Sequence, residues 1–395
     1  MKSFNRLIIL ILFFPLFLSS HQRSESYSNW NIEIKDEVLK IKSTLSARES
    51  VLLNLNLDDL PTLESYLMNS INLSDCELND FVSKLTYREG LYKFSINQEC
   101  FLGESSQFLI TNNVFFDIDA SHSHIAKIKI NGKTFPEKIF LNSDRVLEIN
   151  VKNSDIPEDS LFSSFISYFG LGLEHISTGF DHLAFLLGLL LINQRFKNVL
   201  IAITGFTLGH TLSFCLAVLG LISPASSFVE ATIGFSIFIL GIEYLSKNKK
   251  VFSKYILYML VFWVLFLISF YNLNGSYLLL GYLGLMIFGF TYLGLSNNSK
   301  NLLFSLLITS LFGLVHGFGF GGYLSEVGLP ESKLYLALIG FNLGVEFGQI
   351  IAALIFLLLL HLVKGLKFLN KNIVETYIAI SLVSLGVFWF IERSF

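Results

Sequence analysis

The chain has 395 residues, 52% of them hydrophobic and only 15% charged, with 40 Phe and a formal net charge of −3. Such a composition excludes an ordinary soluble enzyme and points to a polytopic membrane protein. The charge balance is too slight to imply nucleic acid or an acidic partner.

The first residues read as a secretory signal peptide over 1–20: Lys2 and Arg6, an apolar run from Leu7 to Leu18, then Ser19 and Ser20. An uncleaved anchor is the alternative, and either arrangement puts the next segment outside the cytoplasm. Residues 21–159 are mixed-polar and read as an extracytoplasmic all-β, sandwich-like domain. Trp30–Lys42 alternates with the period of a half-buried strand. Further strands are predicted at Leu91–Ile96, Gln107–Ile110, Val114–Ile118, Ile125–Ile130 and Val146–Val151. Asn131-Gly132 is a tight-turn signal between two of them. Cys76 and Cys100 both fall in this exported part, where an oxidising compartment permits a disulfide. Cys215, in an apolar helix, reads as a buried, inert thiol.

From residue 160 to the C-terminus the pattern is that of a helical transmembrane domain. Spans are expected at Leu161–Ile192, Val199–Ile222, Phe228–Leu245 and Tyr255–Tyr271, then at Tyr277–Leu295, Leu302–Phe320, Leu334–Val363 and Val374–Ile391. The first is long enough to break, and Gly170, Gly172 and Gly179 offer places. With the β-domain outside, the inner loops hold Arg195, Lys197, Lys247, Lys249, Lys250, Lys254, Lys300, Lys364, Lys367 and Lys371. The outer loops and tail of this domain hold only Lys333 and Arg393. That asymmetry fits about eight spans with both ends outside, a multi-pass protein of the cell membrane.

Against this apolar background a few ionisable residues stand out. They are His175, Asp181 and His182 in H-I-S-T-G-F-D-H, His210 in G-F-T-L-G-H-T-L-S, His316 in F-G-L-V-H-G-F-G-F, and Glu346 in F-N-L-G-V-E-F-G-Q. Each costs roughly 2.5–3.5 kcal/mol to place at mid-bilayer, so such groups face a partner, a cavity or an ion. Rises of 1.5 Å per residue put all of them in the middle-to-outer leaflet although their helices run in opposite directions. Imidazole with carboxylate is the ligand set of borderline divalent cations. A metal site formed by His175, Asp181, His182, His210, His316 and Glu346 is therefore expected, with Glu230, Asn342 and Gln349 in support. His175, Gly179 and His182 share a face if that segment stays helical. Asp181 points about 100° away from His182, so it either ligates from a local break or orients an imidazole. Gly205/Gly209, Gly313/Gly317, Gly317/Gly321, Gly340/Gly344 and Gly344/Gly348 are spaced to let helices approach closely beside these residues. In the outer domain His21, the residue after the expected cleavage, and His122 with His124, which share a strand face if that stretch is extended, are read as an outer set of metal ligands, with a solvated strand end as the alternative for the pair.

In these four motifs the chain resembles the HupE/UreJ family of membrane proteins, linked to nickel supply for hydrogenase and urease. It is most similar to the larger members with an extracytoplasmic domain, over roughly Leu161–Leu362. The resemblance implies a permease for nickel or cobalt, with His175, Asp181 and His182 as its signature site. Where short members have Pro after the first His, this chain has Ile176, and the Tyr255–Leu295 pair reads as an addition to a compact core.

Three functions remain open at this level. A divalent-metal permease, for nickel, cobalt or zinc, suits the ligands. A membrane-embedded metal-dependent hydrolase acting at the outer leaflet is the alternative enzyme reading, with Asp181 or Glu346 as general base. A non-transporting sensor or assembly protein would use the β-domain to bind a periplasmic partner. The inner halves of the spans have few polar groups, Thr204, Glu243, Ser305 and Thr309, which is sparse for an ion path.

Overall fold

The computed structural model describes residues 27–35, 38–48, 60–73, 82–88, 91–101, 107–117, 122–150, 161–193, 195–247, 249–274, 278–296, 302–327, 334–365 and 371–395. The signal peptide, His21 and the Cys76–Cys100 bond lie outside the described residues. By internal contacts the chain divides into two units, Ser24–Thr178 with Tyr323–Val345, and Gly179–Gly322 with Glu346–Phe395.

The first unit carries the β-domain. Its strands are β1 (Tyr27–Lys35), β2 (Val38–Arg48), β3 (Ile71–Leu73), β4 (Val82–Arg88), β5 (Leu91–Phe101), β6 (Gln107–Asn112), β7 (Ser123–Ile130), β8 (Lys133–Phe140) and β9 (Val146–Asn150). Six form one sheet in the order β4-β5-β2-β1-β7-β8, and β3-β6-β9 form a second. The alternation at Trp30–Lys42 resolves into two antiparallel strands in register, Ile32 opposite Ile41. Trp30, Ile32, Ile34, Leu39 and Ile41 are buried, and they share one core with Phe108, Ile110 and Ile149 of the smaller sheet. This is the sandwich-like arrangement expected, closed by burial on one face of each sheet.

Three details were not foreseen. The helix α1 (Leu60–Ser70) leads into β3. β1 pairs with β7 in parallel, which no short-range pattern announces. The strand expected at Val114–Ile118 is instead a turn over residues 114–117 in which Phe115 takes a φ of 64°. Its apolar run is there to fill the core, since Val114, Phe115 and Phe116 are all buried. The Asn131-Gly132 turn is as expected: both residues have positive φ, 50° and 81°, the geometry that joins two twisted strands most tightly.

The helices that follow are α2 (Leu161–Thr178), α3 (Phe180–Ile192), α4 (Phe196–Val218), α5 (Ser226–Ser246), α6 (Lys249–Asn274), α7 (Leu279–Ser296), α8 (Leu302–Val327), α9 (Leu334–Gly365) and α10 (Lys371–Ser394). Among the described residues seven of these are long and apolar enough to cross a membrane, or eight spans if α2 and α3 count as one broken span. The break falls at Gly179, whose ψ of 90° leaves the helical region. Gly170 and Gly172 stay within α2. The helical face proposed for His175, Gly179 and His182 therefore does not exist as one continuous surface.

Small residues set the helix crossings. In the first unit a Cβ on Gly340 would lie 2.8 Å from the Phe165 carbonyl oxygen, so α9 meets α2 backbone to backbone. In the second unit a side chain on Gly209 would overlap the Ser310 carbonyl, and one on Gly313 the Phe206 carbonyl. One on Gly317 would overlap the carbonyl of His210 itself. These are the pairs read from the four-residue spacing, and they press α4 against α8. Around them α5, α6, α7 and α10 share an aromatic core of Phe235, Trp263, Phe266, Tyr282 and Phe390. Leu186, Leu190, Val199, Ile203 and Ala353 join α3, α4 and α9. Cys215 is a half-buried, free thiol.

Candidate metal centre

The break at Gly179 makes the first part of the site. A helix that restarts leaves its first amide N–H groups without intrahelical acceptors. Asp181, in the first turn of α3, answers this directly. Its Oδ1 accepts from the His182 backbone N–H at 2.9 Å and from the His182 ring at Nδ1, 3.0 Å away. A carboxylate can only accept, so Nδ1 carries the proton and Nε2 of the neutral ring carries the lone pair. Of the two roles open to Asp181, the geometry realises the orienting one.

His316, on α8, is set by the same logic. The Ser236 hydroxyl on α5 donates to the Ile233 carbonyl at 2.7 Å, so its single proton is engaged. His316 Nε2 lies 3.1 Å from Ser236 Oγ, so the hydroxyl fixes the plane and position of the ring. His210, on α4, is fully buried and stacked between Phe206 and Phe214, with centroids 6.0 Å away on each side.

These three imidazoles converge. The His182 ring centroid lies 5.0 Å from that of His316 and 6.2 Å from that of His210. His182 and His210 place a ring nitrogen within 4.8 Å of each other, a span that one ion with bonds near 2 Å can bridge. Phe185 and Phe206 pack against His316 at 5.2 and 5.0 Å, so the cluster has an apolar wall. His182 and His210 offer nitrogen donors of the kind a borderline divalent cation takes, and the His316 ring lies beside them.

His175 ends α2 in the first unit, buried with its ring 5.4 Å from that of Phe341. Asn342 donates to the Leu338 carbonyl at 2.8 Å. Glu346 accepts from Thr204 at 2.9 Å, and Gln349 accepts from Thr207 at 3.3 Å, joining α9 to α4. Thr204 is six residues before His210, about 9 Å along the helix axis, so Glu346 is held below the imidazoles. Glu230 accepts from Ser226 on its own helix at 3.0 Å. Of the inner polar groups, Glu243 accepts from Tyr292, and Thr309 donates to the Ser305 carbonyl at 2.9 Å.

Two partners were missed from sequence. Ser236 is 80 residues from His316, and its only signal is a hydroxyl in the apolar run I-G-F-S-I-F. Arg393, read as a charge of the outer tail, is buried in the last turn of α10, with Nη1 3.7 Å from Asp181 Oδ2. A cation that ends a hydrophobic helix is normally read as a membrane-surface anchor.

In the β-domain His122 and His124 share a face, with centroids 4.4 Å apart, but both are fully buried. Trp30 Nε1 donates to His124 Nδ1 at 3.2 Å. Nε2 of the same ring therefore donates to the Val114 carbonyl, 3.1 Å away. His122 Nε2 lies 3.2 Å from Ser28 Oγ. Burial holds the His122 pKa down to about 3, and burial with the charge of His122 holds His124 well below its ordinary value. A metal at this pair would have to displace the Trp30 bond.

Apolar spans surrounding buried imidazoles mark a polytopic membrane protein. The chain belongs to the HupE/UreJ family: the family model described as HupE / UreJ protein matches residues 152–271 and 283–393, more than half of the chain. The match runs through Tyr255–Tyr271 and resumes before the end of α7, so the helices read as an addition lie inside the family's pattern. No curated protein matches the chain.

Proposed function

We propose that the chain is a membrane permease for a divalent transition metal, with nickel or cobalt as cargo ahead of zinc. The observation that carries this reading is the buried imidazole cluster oriented by a carboxylate. His182 is anchored at Nδ1 by Asp181, so its lone pair lies on Nε2, the form a cation binds, and the His316 ring, held by Ser236, lies 5.0 Å away. His210 supplies a third nitrogen, and His175 is assigned to the set on its place in the motif seven residues before His182. Asp181 acts through His182, and Glu346 with Gln349 and Thr204 offers oxygen atoms further along α4. The family's association with nickel and cobalt transport supports the choice of metal.

A hydrolase would need a carboxylate at liberty to take a proton from water. Asp181 faces His182 and Arg393, and Glu346 faces Thr204, which favours the permease. In this reading the β-domain and both termini are extracytoplasmic, supported by the Lys/Arg asymmetry. Of the outer histidines, His21 keeps a capture role.

Metal analysis of the purified chain, paired with uptake of Co²⁺ into proteoliposomes, tests the proposal. Saturable uptake and bound metal, both absent from His182→Ala, are expected. Metal-dependent product release without ion flux would replace the permease with the hydrolase. A cysteine placed at Asn248 should resist a membrane-impermeant reagent added outside intact cells; labelling there would invert the topology.

A further inference from the structure

We propose that Arg393 is a built-in counter-cation of the metal centre, which holds Asp181 in place and weakens metal binding so that the ion can leave. This rests on the permease reading and assigns a residue that tunes its site.

Arg393 is unusual for the end of a membrane helix. Its side chain is 3% exposed, with Nη1 3.7 Å from Asp181 Oδ2 and 3.4 Å from the Glu230 carbonyl. Its guanidinium lies 5.0 Å from the Trp389 ring. A lysine or arginine serving as an interface anchor would extend its head to water. Here the head is turned inward onto one carboxylate whose other oxygen orients His182. The result is a line of guanidinium, carboxylate and imidazole, with the donor Nε2 of His182 at its far end.

Two consequences follow from charge. Guanidinium does not lose its proton in proteins, so the carboxylate always has a cation beside it. The same fixed charge repels a divalent ion on His182 across the length of two side chains, where dielectric screening is weaker than in water. The donor set by itself would grip a borderline metal tightly, and a carrier must also release it. Arg393 supplies the opposing term without touching the ion. A purely structural role, as a cation favourable to the C-terminal end of α10, predicts the opposite sign for its removal.

The test is a Co²⁺ titration of the purified full-length chain, followed in the visible absorption of the metal, with thermal unfolding measured alongside. Arg393→Gln should tighten Co²⁺ binding by about tenfold, a modest share of the bare Coulomb effect. Arg393→Lys, which keeps the charge, should bind like the wild type. Since removing the arginine leaves Asp181 without its cation and can impair folding, Asp181→Asn is compared with Asp181→Asn/Arg393→Gln. The double variant should bind more tightly than the single one. In proteoliposomes Arg393→Gln should lower KM and lower turnover together. Equal or weaker binding by Arg393→Gln, beside a wild type that binds, overturns the role of Arg393 alone. A wild type that takes up no Co²⁺ overturns the metal centre and this role with it.

Discussion

The β-domain and the membrane helices each contain buried histidines a few ångströms from another histidine, and chemically the two clusters are unlike. In the β-domain His124 accepts from Trp30 through one nitrogen and donates to Val114 through the other. Among the helices Asp181 draws the proton of His182 to Nδ1, and Ser236 contacts His316 at Nε2. The first ring is a hydrogen-bonded packing unit; His182 is a ring turned by a carboxylate. Burial and proximity are shared, and the two rings differ in where the lone pair lies. In His124 it meets an indole N–H, and in His182 it sits on the nitrogen opposite the orienting carboxylate.

The sharpest separation of the two clusters comes from His182→Ala, which should abolish Co²⁺ binding by the purified chain and leave uptake unrescued at high metal. Retained stoichiometric binding would place the site elsewhere. Asp181→Asn removes the anchor and keeps the ligand, and should weaken binding about 10–100-fold, the usual cost of losing an orienting partner. Ser236→Ala should act in the same direction on His316 at the lower end of that range, about tenfold. Were Ser236→Ala silent in a binding isotherm, His316 would not be a ligand.

The β-domain should answer through stability alone. His124→Ala leaves a cavity and strips Trp30 and Val114 of their partner, at a cost of about 2–4 kcal/mol. Its Co²⁺ affinity should stay at the wild-type value; a drop would make the outer pair part of metal handling. The same domain should also respond to pH. The His122 pKa is lowered from 6.5 to about 3, so above pH 6.5 the ring is neutral in both folded and unfolded chains and its stabilisation is complete. Below 6.5 the unfolded chain takes up a proton that the folded ring refuses, and stability falls down to pH 3. At pH 5 the loss is about 2 kcal/mol for that imidazole. Amide exchange in β1 and β7, corrected for the intrinsic rate, should report it, and His122→Gln/His124→Gln should remove the slope.

Much of this was legible in the residues. Period-two alternation is a local property, and it located β1, β2 and the Asn131-Gly132 hairpin. Hydropathy located the spans, since crossing a bilayer requires an unbroken apolar run of about 20 residues. Ionisable groups within apolar runs singled out His182, His210 and His316, because hydrocarbon tolerates such groups only where they meet a partner, a cavity or an ion, and the three rings lie close together. The same alternation misread Val114–Phe116, an apolar run that fills the core as a turn. It also gave no hint that β1 lies beside β7.

Membrane character, a β-domain ahead of apolar helices, and the family are therefore properties of the chain read in one dimension. Each is carried by composition, by period or by a contiguous motif. Packing in three dimensions was needed for the rest: which nitrogen of His182 holds the lone pair, that Asp181 orients His182, that Ser236 holds His316, and that Arg393 turns inward. Apart from the adjacent Asp181 and His182, those are relations between side chains from different helices. A proton's position on an imidazole depends on the group facing it, and the sequence names the ring without naming what it faces.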